Sequence, residues 1–242
     1  MLPLKDNIPT IRFPIVTMFL IVINVAVFLY EESLGPLMDR FMMQYGMTPY
    51  EITHGVTLYP RGGLPVLLTI FTAMFVHASW LHVGGNMLFL WIFGNNVEDS
   101  MGRPRFVIFY LLCGLAATAA QVAVMPSSHI PNVGASGAIA GVLGAYLLLF
   151  PRARVLTLIF LGIFITFVEL PALAVLLFWI ILQVVSGALG ISGGDGGGVA
   201  YFAHIGGFAL GLVMIRLFTL GRSCVNDKQR YCRTARTGPR PL

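Results

Sequence analysis

A chain of 242 residues that is 57% hydrophobic and 10% charged cannot cover a water-facing surface, since a soluble domain carries about 25% charged residues. The composition excludes an ordinary soluble enzyme or nucleic-acid-binding module and points to a multispanning membrane protein. The formal charge of +5 needs no nucleic acid, because the positions of the basic residues read as membrane topology.

In chain order, Lys5 and Arg12 precede an apolar run from Phe13 to Tyr30 that is long enough to span. Glu31 and Glu32 follow it, with no small-residue cleavage site, which predicts a retained first helix and not a cleaved signal. A long connection, 31–79, carries Pro60, Gly62, Gly63 and Pro65 ahead of an apolar stretch at 64–76. It reads as a partly membrane-embedded outer loop, because irregular backbone at that depth survives only against protein or a water-filled cavity. Further spans are predicted over 80–97, 106–124, 136–150, 171–189 and 201–218. The segment 155–168, "VLTLIFLGIFITFV", is apolar but short, and such runs of about 10–14 residues are more often interfacial or re-entrant than spanning. The basic, Pro-containing tail 219–242 reads as disordered and lying near anionic lipid. Three cysteines, Cys113, Cys224 and Cys232, have no framework spacing and predict neither a disulfide scaffold nor a zinc site.

The arginines and lysines settle the expected count of spans. Lys5, Arg12, Arg103, Arg105, Arg152, Arg154 and the basic residues from Arg216 onward all fall on one side if the chain crosses six times. A seventh crossing at 155–168 would place the basic tail outside. The expectation is an all-α, six-helix bundle in a multi-pass membrane protein, with residues 1–12 and the tail cytoplasmic and 13–218 forming the membrane domain.

Few polar residues lie within these spans, and polar groups at membrane depth are functional candidates by default. At 1.5 Å of rise per residue, Ser136 stands roughly 22 Å above Pro151, and His204 roughly 18 Å above Arg216. On the antiparallel second helix, Asn86 and His82 stand roughly 18 and 24 Å above Glu98. All four therefore share one layer beneath the outer face, and His82 and Asn86 share one helix face at i, i+4. "GAIAG", 137–141, and "GFALG", 207–211, are both GxxxG, which lets helices approach backbone to backbone. A serine beside one and a histidine beside the other can then meet as nucleophile and general base. The Ser136 N–H, the Asn86 amide and His82 are candidate oxyanion donors. No intramembrane carboxylate is placed to orient His204, so the expectation is a dyad, roofed by the 192–198 and 125–135 loops.

Each of these residues alone has a plainer reading, as a back-bonded serine, a packing glycine or a capping histidine. His77 reads as a structural hydrogen-bonder to the loop. It is i, i+5 from His82 with no intervening glutamate, so it lacks the arrangement of a zinc protease, and no metal is expected. What raises the functional reading is the coincidence of four groups at one depth.

"HASWLHVGGNMLFLWIFGNNVE", "GASGAIAG" and "AHIGGFALG", in this order and spacing, resemble the rhomboid intramembrane serine proteases over about Leu64 to Arg216. The resemblance implies a six-helix core with an embedded first outer loop. It implies Ser136 as nucleophile, His204 as base, and His82 and Asn86 as oxyanion stabilisers, with Gly134, Gly137, Gly207 and His77 structural near the site. It also carries over Glu98 as a structural hydrogen-bonder at the cytoplasmic end of the second helix. The implied substrates are membrane-anchored proteins cut in or beside a transmembrane segment, with no metal, cofactor or ATP, and the implied location is a bacterial inner membrane. The first loop lacks the Trp-Arg pair of some members. Ala140 stands where some have an aromatic against the catalytic imidazole, a place Tyr201 or Phe202 is the candidate to fill. Two other classes compete: an inactive relative that binds transmembrane helices, and a transporter using Ser136, His82 and His204 as a proton relay. Retention of all four polar groups disfavours the first, and the absence of inverted repeats and of an intramembrane carboxylate disfavours the second.

Overall fold

The computed structural model describes residues 1–161, 164–193 and 199–221. The chain opens with strand β1 (Leu2–Asp6) and helix α1 (Ile15–Ser33). Short helices α2 (Met38–Tyr45), α3 (Pro49–His54) and α4 (Thr69–Thr72) follow within the long first connection. Helix α5 (Trp80–Phe89) passes through a wider, π-wound stretch, Leu90–Gly94, into α6 (Asn95–Met101), and together they cover the predicted second span. Gly102, at φ 81°, then turns the chain, and Pro104 stands in the first turn of α7 (Arg103–Val124), where its missing N–H costs nothing. Next come α8 (Ser136–Leu149), strands β2 (Arg154–Leu161) and β3 (Phe164–Pro171), α9 (Ala172–Gly193) and α10 (Tyr201–Phe218). Among the described residues α1, α7, α9 and α10 are long and apolar enough to cross a membrane, and α8 is a shorter apolar helix.

The sheet corrects the all-α expectation. Segment 155–168 forms most of an antiparallel hairpin, with Leu158 opposite Phe167 and Phe160 opposite Ile165. β1 adds to the other edge of β2, pairing Leu2 with Leu158 and Asp6 with Val155. The physical reason lies in the side chains: this run is too short to span and rich in β-branched and aromatic residues, which favour extended backbone. Residues 2–6 are thus the third strand of this sheet. Residues 222–242, and 194–198 of the glycine-rich loop, lie outside the described residues.

Helix α8 is the centre of the molecule, with twelve of its fourteen residues buried. Its small residues let α10 pack against bare backbone. A Cβ on Gly207 would stand 2.0 Å from the Gly137 carbonyl oxygen, and one on Gly211 2.0 Å from that of Gly141. Glycine is the only residue that fits at this crossing, and the crossing sets how close the N-terminal parts of α8 and α10 can come.

The end of the bundle rich in arginine is tied by hydrogen bonds across elements. Glu98, 2% exposed, accepts from Val16 N–H (3.1 Å), Thr17 N–H (2.8 Å) and the Thr17 hydroxyl (2.7 Å). It thereby satisfies first-turn donors of α1 that no residue of α1 itself caps, and places a carboxylate at the positive end of that helix. Arg105 donates to the Phe218 and Leu220 carbonyls at 3.1 and 2.8 Å, closing the C-terminal end of α10 in the complementary way. At the opposite end the first connection is built around a buried ion pair of Arg61 with Glu51, whose other oxygen accepts from Leu58 N–H at 2.7 Å. Arg61 also donates to the Gln44 carbonyl. Met47 and Asn132 exchange backbone hydrogen bonds of 3.0 and 2.8 Å, docking this connection onto the 125–135 loop. His54 and His129, unremarkable in sequence, stack on the two sides of Tyr50 in the same contact, with centroids 3.9 and 4.2 Å away.

Candidate active site

Ser136 opens α8 and His204 lies one turn into α10. With the helices in glycine contact just beyond, His204 Nε2 stands 2.7 Å from Ser136 Oγ. His204 is 8% exposed. A cavity of about 430 Å³ opens over the pair, and Asn86 and His82 line it together with Ser136 and His204. The one-layer arrangement inferred from helical rise therefore has a physical counterpart, a single hollow bounded by all four side chains. Pro131, Asn132 and Val133 of the 125–135 loop also line it, as expected of a roof.

Ser79 caps α5 by accepting from His82 N–H at 3.2 Å, which sets the start of the helix and so the height of His82 and Asn86. Asn86 and His77 are paired, with Nδ2 3.0 Å from Nε2. His77 Nδ1 faces the Phe75 carbonyl at 3.2 Å. That carbonyl can only accept, so Nδ1 carries the proton and Nε2 accepts from the Asn86 amide. Burial, and then the neighbouring His82, push the His77 pKa down to about 4, which keeps the ring neutral and this bond intact. The backbone N–H of His77 donates in turn to Glu31 of α1 at 3.1 Å. His77 is thus the link between the first helix and the cavity wall, and one hydrogen of the Asn86 amide is left for the cavity.

Gly134 is held at φ 115°, a conformation L side chains rarely adopt, and a Cβ there would stand 2.6 Å from His82 Nε2. Its N–H donates to the Ala73 carbonyl at 2.8 Å. Gly134, two residues before the serine, therefore has two reasons to be glycine, one of backbone and one of space for the imidazole. Gly137 packs against α7, where a Cβ would meet that of Ala117 at 2.5 Å. Glu98 lies at the far end of the molecule, in the α1 contact described above, and takes no part in the cavity.

Two residues around His204 were not found by sequence reading. Gln183 Oε1 of α9 lies 2.7 Å from His204 Nδ1, where no carboxylate was available. Trp179, one turn earlier on α9, packs its ring 5.7 Å from the imidazole at 38°. Tyr201 and Phe202, the expected aromatic neighbours, instead face Gly187 of α9. The sequence does carry a signal, since Gln183 is the sole amide in the 172–190 run. Among the described residues no cluster of His, Cys, Asp or Glu could hold a metal ion.

Comparison with known proteins gives the family in which this arrangement occurs here. The profile of the rhomboid domain matches residues 65–220. Rhomboid-like protein 11, chloroplastic, of Arabidopsis thaliana is 29% identical over 180 residues, covering 71% of this chain and 60% of the relative. Rhomboid protein 1, mitochondrial, of Saccharomyces cerevisiae is 30% identical over 142 residues, 57% of this chain and 37% of the relative. Rhomboid protease GluP of Bacillus subtilis is 38% identical over 78 residues, 32% of this chain and 15% of the relative. The chain thus spans 60% or less of the length of these relatives. The matched region holds the cavity, the glycine crossing and the Ser136–His204 contact, and this multi-pass membrane protein belongs to the rhomboid family.

Proposed function

We propose that the chain is an intramembrane serine endopeptidase that crosses the membrane six times, with both termini on the cytoplasmic side of a bacterial inner membrane. It hydrolyses peptide bonds in or beside the transmembrane segments of membrane-anchored proteins. The observation that supports this best is the 2.7 Å approach of His204 Nε2 to Ser136 Oγ inside a cavity shared with Asn86 and His82. One of the similar proteins is itself named a rhomboid protease.

The steps follow from the geometry. Ser136 Oγ attacks the scissile carbonyl carbon while His204 Nε2 takes its proton. The oxyanion that forms is met by the Ser136 N–H at the positive end of α8, by the Asn86 amide and by His82. As the tetrahedral species collapses, His204 returns the proton to the leaving amine. Water entering through the cavity then hydrolyses the acyl-serine by the same two transfers.

Detergent-purified protein is incubated with a fluorophosphonate serine probe beside Ser136→Ala and His204→Ala, with a known active rhomboid as positive control. Labelling of the wild type that vanishes in both variants is the expected result. A folded wild type that stays unlabelled while the control labels overturns the reading in favour of an inactive relative that binds transmembrane helices.

A further inference from the structure

The imidazole of His204 is held from two sides, and both holds come from α9. Oε1 of Gln183 lies 2.7 Å from Nδ1, and the Gln183 Nε2 amide nitrogen faces the Trp179 carbonyl at 3.5 Å. The second contact is long for a hydrogen bond, and it orients the amide in the same sense as the first. A backbone carbonyl only accepts, so the amide is assigned with its NH2 toward Trp179 and its oxygen toward His204. The amide oxygen only accepts as well, so Nδ1 must carry the ring proton. Nε2 is then bare and faces Ser136 Oγ at 2.7 Å, which is the tautomer a general base needs. Turned the other way, the amide would donate to Nδ1 and leave an N–H pointing at the serine.

We infer that Gln183 is the positioning residue of this site, selecting the His204 tautomer and aiming Nε2 at Ser136, with Trp179 fixing the ring plane. The inference rests on the serine-protease reading of the site. It turns the expected dyad into an array of three, completed by a neutral amide. A carboxylate would also orient the ring, but an ion at this depth carries a desolvation penalty that an amide avoids. The acceptor and the aromatic sit one helical turn apart on a single helix, so the direction of Nε2 depends on how α9 lies against α10.

The test uses the full chain in detergent and separates the maximal labelling rate by the fluorophosphonate probe from its apparent affinity. In Gln183→Leu and Gln183→Met the maximal rate is expected to fall on the order of 10- to 100-fold, part of what a general base contributes. Probe affinity and melting temperature stay near wild type, and Gln183→Glu, which keeps an acceptor oxygen, restores most of the rate. In addition, 15N spectra of histidine-labelled wild type above neutral pH are expected to place the His204 proton on Nδ1, a readout that needs no variant to fold. Wild-type labelling rates in the two apolar variants, or a His204 proton on Nε2, overturn the role of Gln183 while leaving the protease reading intact. Failure of the wild type to label beside an active control overturns that reading itself.

Discussion

At the scale of single residues, the cavity wall depends on a histidine that takes no part in the proton transfers. His77 must stay neutral to accept from Asn86, and its folded pKa of about 4 lies below the ordinary 6.5. Above pH 6.5 neither folded nor unfolded chain protonates it, and its contribution to stability is fully present. Between 6.5 and 4 the unfolded chain takes up a proton that the folded one refuses, so stability falls with falling pH by up to about 3 kcal/mol. Below 4 both forms are protonated and the loss stops. Melting curves in detergent between pH 7.5 and 4 should show this decline for the wild type and a shallower one for His77→Asn; equal slopes would remove His77 as its source. The sequence made much of this layer legible, because helical rise places Ser136, His204, His82 and Asn86 at one height whatever the loops do. It did not yield Gln183 or Trp179. Their function depends on the rotation of α9 about its own axis, and a helix apolar on nearly every side, with one amide, has no polar stripe from which to read that rotation.

At the scale of elements, the α8–α10 crossing carries the site. Gly211→Ala sets a methyl group against the Gly141 carbonyl oxygen, where only backbone displacement can relieve the clash. Overpacking of this kind costs about 1–3 kcal/mol, and here the relief moves α10 as a whole away from the serine helix. The variant should melt lower than wild type and label with the fluorophosphonate probe at least about tenfold more slowly, since general-base catalysis requires hydrogen-bond reach. Gly84→Ala on α5 is the control, because a Cβ there meets nothing within 4 Å and alanine is the better helix former. If both substitutions behave alike, close helix approach is not what holds the pair together. The two GxxxG patterns made this contact readable in advance, whereas the sheet was not. A short apolar run has the same composition as helix or strand, and the partner that decides for β2 lies about 150 residues upstream.

At the scale of the whole molecule, two buried carboxylates fasten the ends of the bundle. Glu51 pairs with Arg61 within the first connection, and Glu98 gathers three donors from α1. Replacing Glu98 with alanine leaves those donors without their acceptor in a nearly closed setting, at a cost of about 2–4 kcal/mol. The expected result is a lower melting temperature in detergent and looser packing of α1, read as faster amide exchange over Val16 and Thr17. Exchange at those two positions unchanged from wild type would show that α1 is held by its apolar face alone. That the chain is a mostly helical, multi-pass membrane protein was plain in the sequence, because it follows from composition and hydrophobic run length. The order in the first connection was not, since it comes from Arg61, Glu51 and the Met47–Asn132 bridge, contacts between residues far apart in a stretch without periodicity.

The pairing of β1 with β2 sets an order of events during synthesis. Leu2–Asp6 leaves the ribosome well before its partner Arg154–Leu161, which follows only after about 150 more residues, roughly 8 to 30 seconds at ordinary elongation rates. Throughout that interval the strand has no edge to join, while α1 and α5 to α8 are already being made. A strand made before the helices is therefore among the last elements to find its place, and the sheet closes only when most of the helices it adjoins exist.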